Sequence, residues 1–214
     1  MDSSTAGAIS ALTKSKGFAQ RLKHYVDQGD ELIAQNETDI FIVDEARVLA
    51  EIILMNYRPR WHAFWDRQTL TAATGDQQFF TAAQTAATLH ARNMEAAGQL
   101  PRDQIFFAKR LSAVLDPTAT QADKRIIIND YVLEFKLHTK PIVQRKLRGL
   151  QSGEGLDGEL NNGVADARAK FELPGFVRVP AQQNIELLVH RLNNAIAGTP
   201  WLEIELDGIL GQRK

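Results

Sequence analysis

The chain has 214 residues, 25 Lys and Arg against 26 Asp and Glu, a net charge of −1 and no cysteine. That length suits one large domain, which buries roughly 70–75% of its unfolded surface without covalent staples. Near-neutral charge removes any global electrostatic case for nucleic acid or an acidic substrate, and the missing thiol excludes disulfides, thiolate metal sites and cysteine nucleophiles.

Residues 1–9, MDSSTAGAI, are small and polar and read as an unanchored arm. From Ser10 to Ala34 the apolar positions Leu12, Phe18, Leu22, Val26, Leu32 and Ile33 fall at helical spacing, interrupted by Gly17 and Gly29. This predicts one or two short amphipathic helices outside the main body, and hence a partly helical arm over 1–37 ahead of a domain over 38–214. The arm is basic: Lys14, Lys16, Arg21 and Lys23 stand against Asp2 alone up to residue 24. No apolar run reaches the roughly 18–20 residues of a membrane span, so a soluble chain without an export signal is expected.

Asp39 to Tyr57, DIFIVDEARVLAEIILMNY, is the most apolar stretch. Val48, Ala50, Ile52 and Leu54 alternate as in a strand, while Val48, Leu49, Ile52 and Ile53 also form a helical stripe. β-branched density and the break at Arg58-Pro59 favour a strand. WHAFWDRQTL (61–70) carries two tryptophans, Trp61 and Trp65, an aromatic cluster of the kind that anchors a core or an interface. The Ala/Thr/Gln-rich run that follows reads either as a helix over 77–97 or as an irregular loop with short strands.

Gly98-Gln-Leu-Pro101 is a turn signal. IFFAKRLSAVL (105–115) then alternates, with Phe106, Ala108, Arg110 and Ser112 on one side and Phe107, Lys109, Leu111 and Ala113 on the other. In RIIINDYVLEFKLHTK (125–140), Tyr131, Leu133, Phe135 and Leu137 share a face, and Asn129-Asp130 suggests a bulge or turn inside the strand. From Lys136 to Arg148 there are five cations (Lys136, Lys140, Arg145, Lys146 and Arg148) and no acidic residue; Glu154, Asp157 and Glu159 follow. Each basic cluster is either solvated surface or a contact for nucleic-acid phosphates or lipid headgroups. Residues 149–163, with five glycines (149, 153, 155, 158 and 163), read as a long loop.

The last third holds three strands in succession. Ile185, Leu187 and Val189 alternate with Glu186, Leu188 and His190; Leu202, Ile204 and Leu206 alternate with Trp201, Glu203 and Glu205, and Asp207-Gly208 closes the run. Short strands joined by long loops, with no βαβ alternation, predict a mainly β protein of Greek-key or jelly-roll type.

Catalytic and cofactor motifs are missing: there is no GxGxxG after a strand, no GxxxxGK[ST], no HExxH and no GxSxG. His138 and His190, on the polar register of their strands, could converge. A metal-binding cupin needs two histidines one residue apart, and no HxH occurs. Glu203 and Glu205 share a strand face, which would suit a cation or a glycosidase pair, but no second carboxylate cluster has a reason to meet them. The expectation is a non-enzymatic chain with no cofactor and no metal.

NMEAAGQLPRDQIFFAKRL, IINDYVLEFKLHTKPI, FELPGFVRVPAQQNIELLVHRL and the terminal WLEIELDGILGQR resemble the jelly-roll major capsid proteins of small icosahedral bacteriophages. The likeness covers roughly residues 90–210. The chain is short for a double jelly roll, so the resemblance implies a single jelly roll of about eight antiparallel strands with an N-terminal helical arm. It also implies a coat subunit of the virion, assembled in the host cytoplasm. Its partners would be other copies of itself, genome nucleic acid or an internal membrane through Lys14, Lys16, Arg21 and Lys23, and minor capsid proteins. Trp61, Trp65 and Trp201 would then be intersubunit contacts. The alternative is a non-catalytic β-sandwich module binding a carbohydrate or receptor; a hydrolase using Glu203 or Glu205 stands behind both.

Overall fold

The computed structural model describes residues 42–73, 75–137, 140–149 and 171–213. The arm over 1–37 with its four cations, His138 and most of the glycine-rich stretch after residue 149 lie outside the described residues. Among the described residues nine strands form two antiparallel sheets: β1 (Ile42–Val43), β2 (Tyr57–Thr69), β3 (Asp76–Phe79), β4 (Gln104–Leu115), β5 (Tyr131–Leu137), β6 (Lys140–Lys146), β7 (Phe171–Val179), β8 (Ile185–Arg191) and β9 (Trp201–Arg213). One sheet runs β1-β7-β4-β9-β2 and the other β3-β8-β5-β6. No helix among the described residues is long and apolar enough to cross a membrane.

The sheets bury their facing sides against each other, as period-two patterning requires. Tyr131, Leu133, Phe135 and Leu137 of β5 and Leu187 and Val189 of β8 meet Phe106 and Leu111 of β4, Val177 of β7 and Ile204 and Leu206 of β9 in one core. The faces expected for β5, β8 and the start of β9 are those found. β9 nevertheless does not stop at Asp207-Gly208; it continues to Arg213, and Leu210 joins the core.

In β4 the expected alternation holds only to Ala108. A register shift between Ala108 and Arg110 inserts an extra residue, so Leu111 and Ala113, not Arg110 and Ser112, follow Phe106 and Ala108 into the core. A bulge reverses the phase of everything after it.

Two segments read as strand are helical. α1 (Glu45–Leu54) replaces the strand expected across 39–57, of which only β1 is extended. Asp44 caps it, accepting from Arg47 N at 2.8 Å, and Glu45 in the first turn suits the positive end of the helix dipole. Its buried side, Val48 and Ile52, covers Ile105 and Phe107 on the outer side of the five-stranded sheet, a second and smaller core. α2 (Gln121–Asp130) occupies the start of the segment expected to be strand from residue 125. Thr120 caps it by accepting from Asp123 N at 3.1 Å, so Asn129-Asp130 is the end of a helix and not a bulge.

Pro59, expected to end an element, sits inside β2. Odd-numbered residues of this edge strand direct their backbone groups away from β9: Arg67 N donates to Ala91 O, and Trp65 O accepts from Asn93 N. Pro59 therefore lacks a donor where no ladder bond is required, the one strand setting that tolerates it. Beyond β3 the Ala/Thr/Gln-rich run forms turns and isolated bridges, as the loop reading expected, and not a helix over 77–97.

Candidate functional site

The three tryptophans lie on one face. Trp61 is opposite Ile209, Trp65 opposite Glu205, and Trp201 opposite Thr69 in the β2·β9 ladder. Opposed residues of antiparallel strands share a side, and Ile209 packs with the outer cluster under α1, so all three indoles project from the outer side of the five-stranded sheet. Steps of four residues separate them by about 13 Å each along the sheet edge. Trp61 is 54% exposed, an unusual exposure for so large an apolar ring.

Each end of this stripe has a guanidinium. Arg110 lies 5.5 Å from the Trp61 ring centre and Arg67 4.0 Å from that of Trp201. Arg67 also forms an ion pair with Glu203 at 2.8 Å. These contacts fix Trp61 and Trp201, so little rotamer freedom remains to be lost when a partner docks.

The adjoining edge of β2 is partly closed. The Asn93 side chain imitates a strand, accepting from Trp65 N at 2.8 Å and donating to Ala63 O at 2.6 Å. Asp66, wholly buried, accepts from Phe80 N at 2.6 Å and faces Arg92 Nε at 3.3 Å, anchoring the same loop. Closure here and Pro59 further along both oppose indiscriminate strand addition.

Glu203 and Glu205 do share a face, but each has a partner. Glu203 is held by Arg67, and Glu205 accepts from Ser112 Oγ at 3.0 Å. No group of three or more His, Asp or Glu among the described residues could hold a metal ion. The pair belongs to the polar continuation of the tryptophan face.

His190 bridges strands on the outer side of the second sheet. Its Nδ1 is 3.0 Å from Asp76 of β3 and its Nε2 3.1 Å from Glu134 of β5. A neutral ring can donate to only one of them, an imidazolium to both. Lys136 sits 2.6 Å from Glu134, and that contact, aided by His190, outweighs burial and holds the Glu134 carboxyl below its usual range. Beside it lies an open hollow of about 580 Å³ lined by Val132, Glu134, Gln144, Arg145, Lys146, His190 and Leu192. A smaller cleft of about 220 Å³ lies between β2 and the loop preceding β4, with Arg60, His62 and Gln104 on its walls. Burial and the charge of Arg60 push His62 down.

Trp61, Trp65 and Trp201, expected as intersubunit contacts, share one face, Trp61 exposed and the other two half-buried; sequence reading missed Arg67, Arg110, Asn93 and the His190 clasp. All of these act across 28 or more positions of sequence, Asn93 on Trp65 being the nearest pair, and no local spacing signals them.

The loop leading into β9 is held by Asp123, which accepts from Ala197 N at 2.8 Å and Gly198 N at 3.1 Å. Those amides, chiefly that of Ala197, outweigh burial and hold its carboxyl below the ordinary range. A depressed carboxylate contributes stability above the unfolded-state value that is lost as pH falls through the folded one. Asp123→Asn is therefore expected to lower Tm by roughly 5 °C at pH 7, from charge-assisted bonds worth about 1.5–2 kcal/mol. The difference should shrink towards pH 3; a melting difference that persists undiminished there would contradict the assignment.

No family model matches the chain, and no curated protein matches it.

Proposed function

We propose that the chain is a coat subunit that assembles with copies of itself into a closed icosahedral shell, and that its sandwich is a single jelly roll. The observation that carries this reading is the strand pairing. With the two-residue β1 set aside as an addition to the edge of β7, eight strands remain. The first pairs with the last (β2·β9), the second with the seventh (β3·β8), the third with the sixth (β4·β7) and the fourth with the fifth (β5·β6). That nesting is a long antiparallel ribbon rolled into two facing sheets, the pattern of a jelly roll.

A jelly roll alone would not name a function, since lectin domains and cupins share it. Three further features favour a shell. Among the described residues, His190 is taken up as a clasp between the carboxylates of Asp76 and Glu134. The most exposed tryptophan, Trp61, lies on the outer sheet face that Trp65 and Trp201 share, where a repeated contact could bury it. The sequence resemblance to phage coat proteins covers β4 to β9.

In this reading the tryptophan face packs against a neighbouring subunit. A standard interface buries roughly 1,600 Å², and closed symmetry restricts such contacts to a few repeated types. Lys14, Lys16, Arg21 and Lys23 face the interior, where genome phosphates or an internal membrane supply negative charge that many copies engage together. Minor capsid proteins are the remaining partners, and the virion is the location.

Light scattering on the purified full chain tests the reading. Particles or discrete capsomers are expected. Replacing Trp61 with Ser should shift the population towards monomer with an unchanged melting temperature, because Trp61 contributes little to its own subunit's core. A monomer at all concentrations, binding a glycan, would instead favour the carbohydrate- or receptor-binding module.

A further inference from the structure

The edge of the second sheet opposite β3 is built from the basic run noted in the sequence. β6 carries Lys140, Arg145 and Lys146, and the 3-10 turn that follows, Leu147–Gly149, carries Arg148. β6 is an outermost strand, so these side chains follow the sheet edge from both of its sides, Lys146 on the side of Val132 and Arg145 and Lys140 on that of Leu133 and Leu137; Lys140 to Lys146 alone spans about 20 Å. The fifth cation of the run, Lys136, is neutralised by Glu134 on the neighbouring strand. The other four form no ion pair among the described residues, and Arg145, Lys146 and Arg148 are exposed. A chain with a net charge of −1 thus gathers four cations on one edge, without an ion-pair partner among the described residues.

Two features beside this line fit the non-phosphate parts of a nucleotide. The 580 Å³ hollow opens on it, with Val132 and Leu192 as apolar surface, Gln144 and His190 as polar groups, and the Glu134 carboxylate, which Lys136 neutralises. On the other side, the Arg145 guanidinium lies 4.3 Å from the Phe171 ring centre, a stacked pair of the kind that also accepts a base.

We propose that this edge is a track for single-stranded nucleic acid, with the backbone phosphates following Lys140, Arg145, Lys146 and Arg148 and unstacked bases resting in the hollow and on the Arg145–Phe171 stack. A narrow line of cations matches a linear polyanion. A lipid surface asks for a broad cationic face with apolar side chains to insert, and of the large apolar residues most exposed, Met55, Trp61, Leu89 and Leu192, only Leu192 borders this hollow. The track uses residues of neither the arm nor the tryptophan face, so it stands or falls independently of the shell reading.

The test is fluorescence anisotropy of a labelled 20-nucleotide oligo-dT and oligo-U with the full chain across a salt series. Three proteins are compared: wild type, the triple variant Lys140→Ala/Lys146→Ala/Arg148→Ala, and an arm variant with Lys14, Lys16, Arg21 and Lys23 all changed to Ala. Circular dichroism verifies folding, which alanine at exposed Lys146 and Arg148 and half-buried Lys140 preserves. The track variant is expected to bind roughly tenfold or more weakly, with the slope of log K against log salt smaller in magnitude by about 2, the value for three lost phosphate contacts on a single strand. Unchanged affinity and slope in the track variant would overturn the proposal. So would loss of binding in the arm variant alone, or track-dependent binding to phosphatidylserine vesicles with none to the oligonucleotides.

Discussion

Alanine at Gly208 is expected to unfold the protein or to cost at least about 3 kcal/mol. An added Cβ would lie 2.0 Å from Phe107 O and 2.8 Å from Ala108 Cα, all backbone of the neighbouring strand. The bulge explains this closeness: Ala108 faces Gly208, Arg110 faces Asp207, and the extra residue presses β4 against β9 at a position that has no side chain. Relief would require β9 to retreat from β4, yet β9 is paired along its whole length with β2 on its other side. Gly75→Ala is the control, since nothing lies within 4 Å of its added Cβ. It should change stability by no more than about 0.5 kcal/mol. Equal denaturation midpoints for the two variants would show that the bulge does not depend on Gly208.

The second large effect lies beneath α1. Glu51 is 2% exposed and accepts from Arg47 Nε at 3.0 Å and from Arg178 Nε at 2.7 Å, joining the helix to β7. Glu51→Ala removes the carboxylate shared by both guanidiniums, one of them buried, and is expected to cost about 3 kcal/mol. Glu51→Gln keeps an acceptor and the packing, so it should lose only part of that. The loss has a structural signature: α1 covers Ile105 and Phe107, and loosening it exposes that cluster to a hydrophobic dye before global unfolding. A Glu51→Ala protein with wild-type stability and no added dye binding would show that apolar packing alone holds α1.

Why the sequence misplaced α1 and α2 follows from their spacing. Val48 and Ile52 are four apart, which is two strand repeats and also close to one helical turn, so they share a face in either conformation. The caps decide between the two. Asp44 precedes the helix and Arg47–Glu51 is an i,i+4 pair; Thr120 and Asp123 stand three apart at the start of α2. Those signals were present but outweighed by β-branched residues, whose preference reflects packing context more than backbone. The bulge in β4 was not legible, because its determinant, Gly208, lies a hundred residues away in sequence. Where one face alone is buried, as at Tyr131–Leu137 and Ile185–Val189, alternation was sufficient. Trp61 and Trp65 share a side by their spacing, but Trp201 joins them only through the β2·β9 register, and Arg67 and Arg110 meet them the same way.

The shell reading rests on the nested strand pairs and the tryptophan face, and the mass of the assembled species addresses it most directly. Purified full-length chain, measured by light scattering and imaged by negative stain, is predicted to form uniform closed particles or pentameric or trimeric capsomers, which Trp61→Ser disperses without lowering Tm. A single species at the 23.9 kDa of one chain, unchanged over a hundredfold rise in concentration and identical in the Trp61→Ser variant, would contradict it.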